Sequence, residues 1–94
     1  MSKIVVDLNS DKEFNRMCDR FVTKFKGSQL SKIDVNQRQN SLHDLNSEFG
    51  LLQSHITSVQ ASYMKSHNVD ETGIVTKYPT KFRKCKKIYN RGNL

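Results

Sequence analysis

Apolar residues recur most regularly in the middle of the chain. Leu42, Leu45, Phe49, Leu52, Ile56, Val59 and Tyr63 follow one another at steps of 3, 4, 3, 4, 3 and 4. That alternation has a period of 3.5, the heptad repeat of coiled-coil packing. It predicts one long helix from about Lys32 to Ser66, roughly 50 Å at 1.5 Å per residue. "SKID" (Ser31 to Asp34) supplies a helix-start signal just before it. Val35 extends the seam backwards by one heptad, and Arg38 then falls on a core position.

A second stripe precedes it. Phe14, Met17, Cys18, Phe21, Val22 and Phe25 share one helical face. "SDKE" (Ser10 to Glu13) matches a capping box, and Gly27 provides a stop, so a helix is predicted from Asp11 to Lys26. This helix is about half as long as the other, so it leaves part of the heptad seam uncovered. Each large apolar side chain buried contributes roughly 1.5–3 kcal/mol. The seam is therefore expected to be an association interface, taken by a second copy of the chain or by a helical protein partner. Asn46, Glu48, Gln53, His55, Gln60 and Ser62 flank it and are mostly uncharged, so ion pairs do not select that partner. Phe49 and Tyr63 are large for a two-stranded seam, which favours a helical bundle over a zipper.

Strand signals lie at the two ends of this helical pair. "KIVVDL" (Lys3 to Leu8) and the run Ile74 to Tyr78, broken by Pro79, are β-prone. They can pair as a short ribbon, which is marginal by itself. Between Ser66 and this run, "HNVDETG" is rich in turn formers. The fold expected is thus mostly α: a helical hairpin or bundle, associating as a coiled-coil oligomer, with a small ribbon and a C-terminal tail.

Charge changes the picture at one end. Residues 1–76 carry nine basic and nine acidic side chains, whereas residues 77–94 carry seven basic and none acidic, so the whole net charge of +7 sits there. The chain divides on this basis into a helical association domain (1–76) and a basic tail (77–94). Lys77, Lys81, Arg83, Lys84, Lys86, Lys87 and Arg91 are candidates to neutralise phosphates, with counterion release making binding salt-sensitive. Tyr78, Phe82 and Tyr89 are interleaved among them as candidate platforms for unpaired bases. Phe82, Cys85, Ile88 and Tyr89 have a weak helical spacing, which leaves room for a short helix on binding. A plain lysine run would lack these aromatics. Two other readings of the tail stand beside this one: a solvated end that aids solubility, and a contact for an acidic protein surface or anionic membrane.

Candidate chemistry adds little. His43, His55 and His67 are spaced by twelve residues, which turns successive histidines about 120° apart on a helix. No phosphate-cradling glycine loop, nucleophile elbow or convergent carboxylate pair is evident, so neither catalysis nor a metal, cofactor or small-molecule substrate is expected. Cys18 lies on the apolar face of the first helix, while the cations around Cys85 would favour its thiolate. Two cysteines without a C-x-x-C spacing suggest a reducing, intracellular setting, cytoplasmic or nuclear. No run of eighteen apolar residues exists, and the N-terminal apolar run is too short for a signal peptide. Eleven Lys, eight Asn and ten Ser against one Ala and one Pro suggest an AT-rich genome such as that of a virus, phage or protist. If the source is viral, the setting is the host cytoplasm.

These residues together suggest a non-enzymatic assembly or adaptor protein. Its helices would associate through the seam, and its tail would anchor to RNA, DNA or a nucleoprotein assembly. The rivals are a protein–protein module whose tail docks on an acidic neighbour, and a small inhibitor of an enzyme.

Overall fold

The two β-prone runs do pair. The structure, a computed structural model, describes residues 3–26 and 35–93, without the side chains of 35–39. Strand β1 (Ile4–Asp7) lies parallel to β2 (Ile74–Lys77), with Ile4 opposite Ile74 and Asp7 opposite Lys77. Alternation turns Val6 into the interior and leaves Val5 and Val75 on the outer face. Gln60 on the long helix donates its side-chain amide to the Thr76 hydroxyl at 2.9 Å, fixing the ribbon against that helix. A two-stranded ribbon gains its stability from such packing and not from its own ladder.

Helix α1 runs Lys12–Phe25. Its cap differs from the expected box. Asp11, not Ser10, caps it by accepting the Phe14 amide at 2.9 Å. Ser10 belongs to a preceding 3-10 turn, Leu8–Ser10, where Asp7 accepts the Asn9 amide and Ser10 donates back to the Asp7 carbonyl. That turn shifts the helix start by one residue. The stop expected at Gly27 and the start expected at Ser31 to Asp34 lie outside the described residues.

Helix α2 runs Val35–His67 and spans nearly the full 52 Å length of the molecule. Its C-terminus closes on Asn68, which takes a left-handed φ of 52°. The Asn68 and Val69 amides return to the carbonyls of Lys65 and Met64, the paired bonds of a Schellman motif. A second 3-10 turn, Glu71–Gly73, then leads into β2. Gly73 is required there, because a Cβ would stand 2.9 Å from Val69 Cβ.

The basic segment departs most from expectation. Thr80–Gly92 is a third helix, α3, that packs against both α1 and α2. Phe82 and Cys85 are buried on its inner face, with Ile88 and Tyr89 packed beside them. The segment is therefore not an appendage with its own domain boundary at residue 77. Its apolar residues belong to the same core as those of 1–76. That core joins Leu8, Phe14, Cys18, Phe21 and Phe25 to Leu45, Phe49, Leu52 and Ile56. Phe82 sits among the Phe14, Phe49 and Tyr78 rings at centroid distances of 5.5, 5.9 and 5.0 Å. Tyr89 stacks on Phe49 at 4.1 Å.

The arrangement answers the question of what covers the seam. Leu45, Phe49, Leu52 and Ile56 are buried by α1 and α3 of the same chain. Leu42, Val59 and Tyr63, towards the ends of the seam, are half-buried. The expectation of an uncovered stripe counted one short helix against α2, whereas two lie on it. Its reason for expecting a partner is removed where the packing is tightest.

Candidate nucleic-acid interface

The same periodicity that turns Phe82 and Cys85 inward turns the cations of α3 outward. At 100° per residue, Arg83, Lys84, Lys86, Lys87 and Arg91 fall within an arc of roughly 160°, opposite the buried residues. All five are exposed, as are Lys77 at the end of β2 and Lys81 in the first turn of α3. Arg83, Lys87 and Arg91 follow at steps of four and form a row along the helix.

Pairing divides the set. Lys81 reaches Asp19 of α1 at 2.9 Å, an exposed bridge that ties the two helices. Lys77 faces Asp7 across the ribbon, where its charge helps hold the Asp7 carboxyl below the usual range, behind the hydrogen bonds from Asn9. Arg83, Lys84, Lys86, Lys87 and Arg91 form no ion pair among the described residues. Other charges of the described residues also stand alone, Arg16, Arg20 and Lys65 among them, so what marks α3 is the clustering of its cations on one face and the lack of acidic residues there. Lys24 is bridged to Asp44 at 3.0 Å and to Glu48 at 3.5 Å, and His55 meets Asp11 at 2.8 Å. Five unpaired cations on one helical face raise the local potential and repel one another, a cost that a polyanion would offset.

The three aromatics separate in role. Phe82 is only 6% exposed and belongs to the core, while Tyr89 is half-buried, with one face stacked on Phe49. Both lie on the inner arc of α3, which withdraws Phe82 as an open base platform and leaves Tyr89 only its outer edge. Tyr78 precedes the helix and is 38% exposed, stacked by one side on Phe82. Beside it opens a cleft of about 430 Å³, bounded by Asn9, Thr76, Lys77, Arg83 and Lys86. Asn9 and Thr76 carry no sequence signal for this role, since only the pairing of β1 with β2 brings them to the cleft.

Comparison with protein-family models, curated proteins and solved structures finds no match. Function therefore has to be argued from the site itself.

Among the described residues, no three His, Cys, Asp or Glu side chains converge as metal ligands. None of the described helices is long and apolar enough to cross a membrane. Cys18 and Cys85 meet where α1 crosses α3, both fully buried, with the Cys85 thiol donating to the Cys18 carbonyl at 3.5 Å. Hydrogen bonding between the thiols, together with burial, pushes the Cys18 thiol up. The cations beside Cys85 in sequence point away from it, so they do not activate it as their adjacency suggests.

Proposed function

We infer that this is a non-enzymatic helical protein that binds the backbone of a nucleic acid through the outer face of α3. The observation that carries this reading is the division of one short helix into two faces. One face is committed to the core, and the other presents five cations with no ion pair among the described residues. A polymer of regularly spaced phosphates matches a row of cations at helical spacing, and each phosphate neutralised releases counterions. Contacts of this kind position a strand without reading its bases, so little sequence preference is expected. Because the helix is already folded and docked, binding would not carry the ordering cost of a tail that folds on its target.

The test uses the full chain with fluorescently labelled RNA and DNA at low salt. Charge reversal of the outer row, R83E/K87E/R91E, is expected to weaken binding at least ten-fold while leaving the melting temperature close to that of the wild type. A polyglutamate competitor distinguishes nucleic acid from an acidic protein surface. Equal affinity of the variant and the wild type, or displacement of the nucleic acid by polyglutamate at matched charge, would count against this reading.

A further inference from the structure

We propose that the cleft between the end of β2 and the first turns of α3 takes a single unpaired nucleotide, its base on Tyr78 and its phosphate among Lys77, Arg83 and Lys86. This rests on the reading that α3 binds nucleic acid, and it adds which form of nucleic acid the protein prefers.

The cleft has a flat wall, a cationic rim and an appropriate size. Its volume of about 430 Å³ lies within the ~300–1,000 Å³ typical of small-ligand sites. Tyr78 forms the wall. It is held by what surrounds it in the chain: β2 ends at Lys77, Pro79 is buried, and α3 starts at Thr80. One side of its ring is backed by Phe82 at 5.0 Å and 25° between planes, and Phe82 is locked in the core. A half-exposed ring fixed in this way is a preorganised stacking surface, and every base has a face that fits it.

The rim supplies the second half of a nucleotide's chemistry. Arg83 and Lys86 stand on α3 one turn apart, and Lys77 approaches from the strand. A phosphate beside the stacked base would draw on all three. Packing alone accounts for a tyrosine that covers Phe82, but it gives no reason for three cations to share its cleft. Asn9 adds a side-chain carbonyl oxygen that can accept from a base edge, while its amide nitrogen donates one of its two hydrogens to Asp7. In a blunt duplex the bases are stacked on each other and cannot reach this wall. The cleft therefore favours single strands, loops and frayed ends, while the outer row of α3 serves both forms.

The experiment compares a labelled single-stranded oligonucleotide with a blunt-ended duplex of two complementary strands of the same length, G·C-clamped at both ends and without a loop, both against the full chain at low salt. Tyr78→Ala is expected to weaken single-strand binding by ~5- to 100-fold, the value of one base stack, and to leave duplex binding within about two-fold. The chain holds no tryptophan, so Y78W supplies both a retained ring and a unique fluorophore. Its emission is expected to be quenched by the single strand and unchanged by the duplex. If Y78A binds the single strand as tightly as the wild type, or Y78W binds it without quenching, the cleft assignment is overturned while the reading of α3 stands. If the wild type binds neither form, both are overturned together.

Discussion

Replacing Phe82 by alanine separates the two roles that this residue can be given. As a base platform on a solvated tail, Phe82 would matter to binding and not to stability. In the structure it is 6% exposed and surrounded by the rings of Phe14, Phe49 and Tyr78, all within 5.9 Å. Removing a buried Phe side chain costs about 3–5 kcal/mol in transfer and cavity terms. For a domain of this size the whole stability is of order 5–15 kcal/mol, and each kcal/mol moves the melting temperature by roughly 4–8 °C. F82A should therefore melt at least about 12 °C below the wild type. A control, K87A on the opposite arc, should change stability by no more than about 0.5 kcal/mol. Thermal melts followed by far-ultraviolet circular dichroism measure both. A melting temperature for F82A within about 3 °C of the wild type would mean that α3 is not part of the cooperative core, and the account of the fold would fail.

Other consequences are independent of Phe82. Both thiols should react with an aromatic disulfide reagent far more slowly in the native protein than in guanidinium, because Cys18 and Cys85 are fully buried; native Cys85 reacting like a free thiol would contradict the docking of α3. Asp11 feels burial that pushes its pKa up, but the hydrogen bonds from His55 and from the Phe14 amide outweigh it and hold the carboxyl below its ordinary value. Its stabilisation is complete above the unfolded value of ~3.9 and is lost as pH falls through the lower folded value. Asp11→Asn keeps a capping side chain, so below about pH 4 its melting temperature should fall less steeply than that of the wild type; parallel curves would refute the pairing. Two glycines should respond with opposite signs. G50A, mid-helix with no neighbour within 4 Å, should stabilise by about 0.5–1 kcal/mol. G73A, whose Cβ meets Val69 at 2.9 Å, should destabilise by about 1–3 kcal/mol.

Much of this fold is legible in the chain, and the misses have physical causes. The stripes of α1 and α2 and the β-prone runs at Lys3–Leu8 and Ile74–Tyr78 are visible because each obeys a local period. The start of α1 is read one residue early because Ser10 and Asp11 are adjacent and the capping-box pattern favours Ser10. The choice between them depends on Asp7, which uses the Asn9 amide to form a turn first. The helix at Thr80–Gly92 leaves a weaker trace in the sequence. Its inward positions are few, a Cys and a Gly among them, and five cations crowd the outer arc, so composition hides the period. Reading that helix as one formed only on binding has two further effects. It leaves the heptad seam one covering element short, and it makes Phe82 and Tyr89 candidate contacts where they pack on the core. A local pattern shows which face of a helix is apolar, but what covers that face depends on pairs distant in sequence. The cleft beside Tyr78 has the same character, because Asn9 and Arg83 meet only through the parallel pairing of β1 with β2. The cationic residues themselves needed no structure to find; what the structure adds is their common face.

The most direct test of the central claim is the salt dependence of nucleic-acid binding by the full chain. For a duplex, log K should fall linearly with log salt at a slope of about −0.9 for each phosphate neutralised. Five outward cations predict a slope near −4.5, reduced to about −2 when Arg83, Lys87 and Arg91 are replaced by alanine. No measurable binding at low salt, or binding whose strength does not change with salt, would contradict the account.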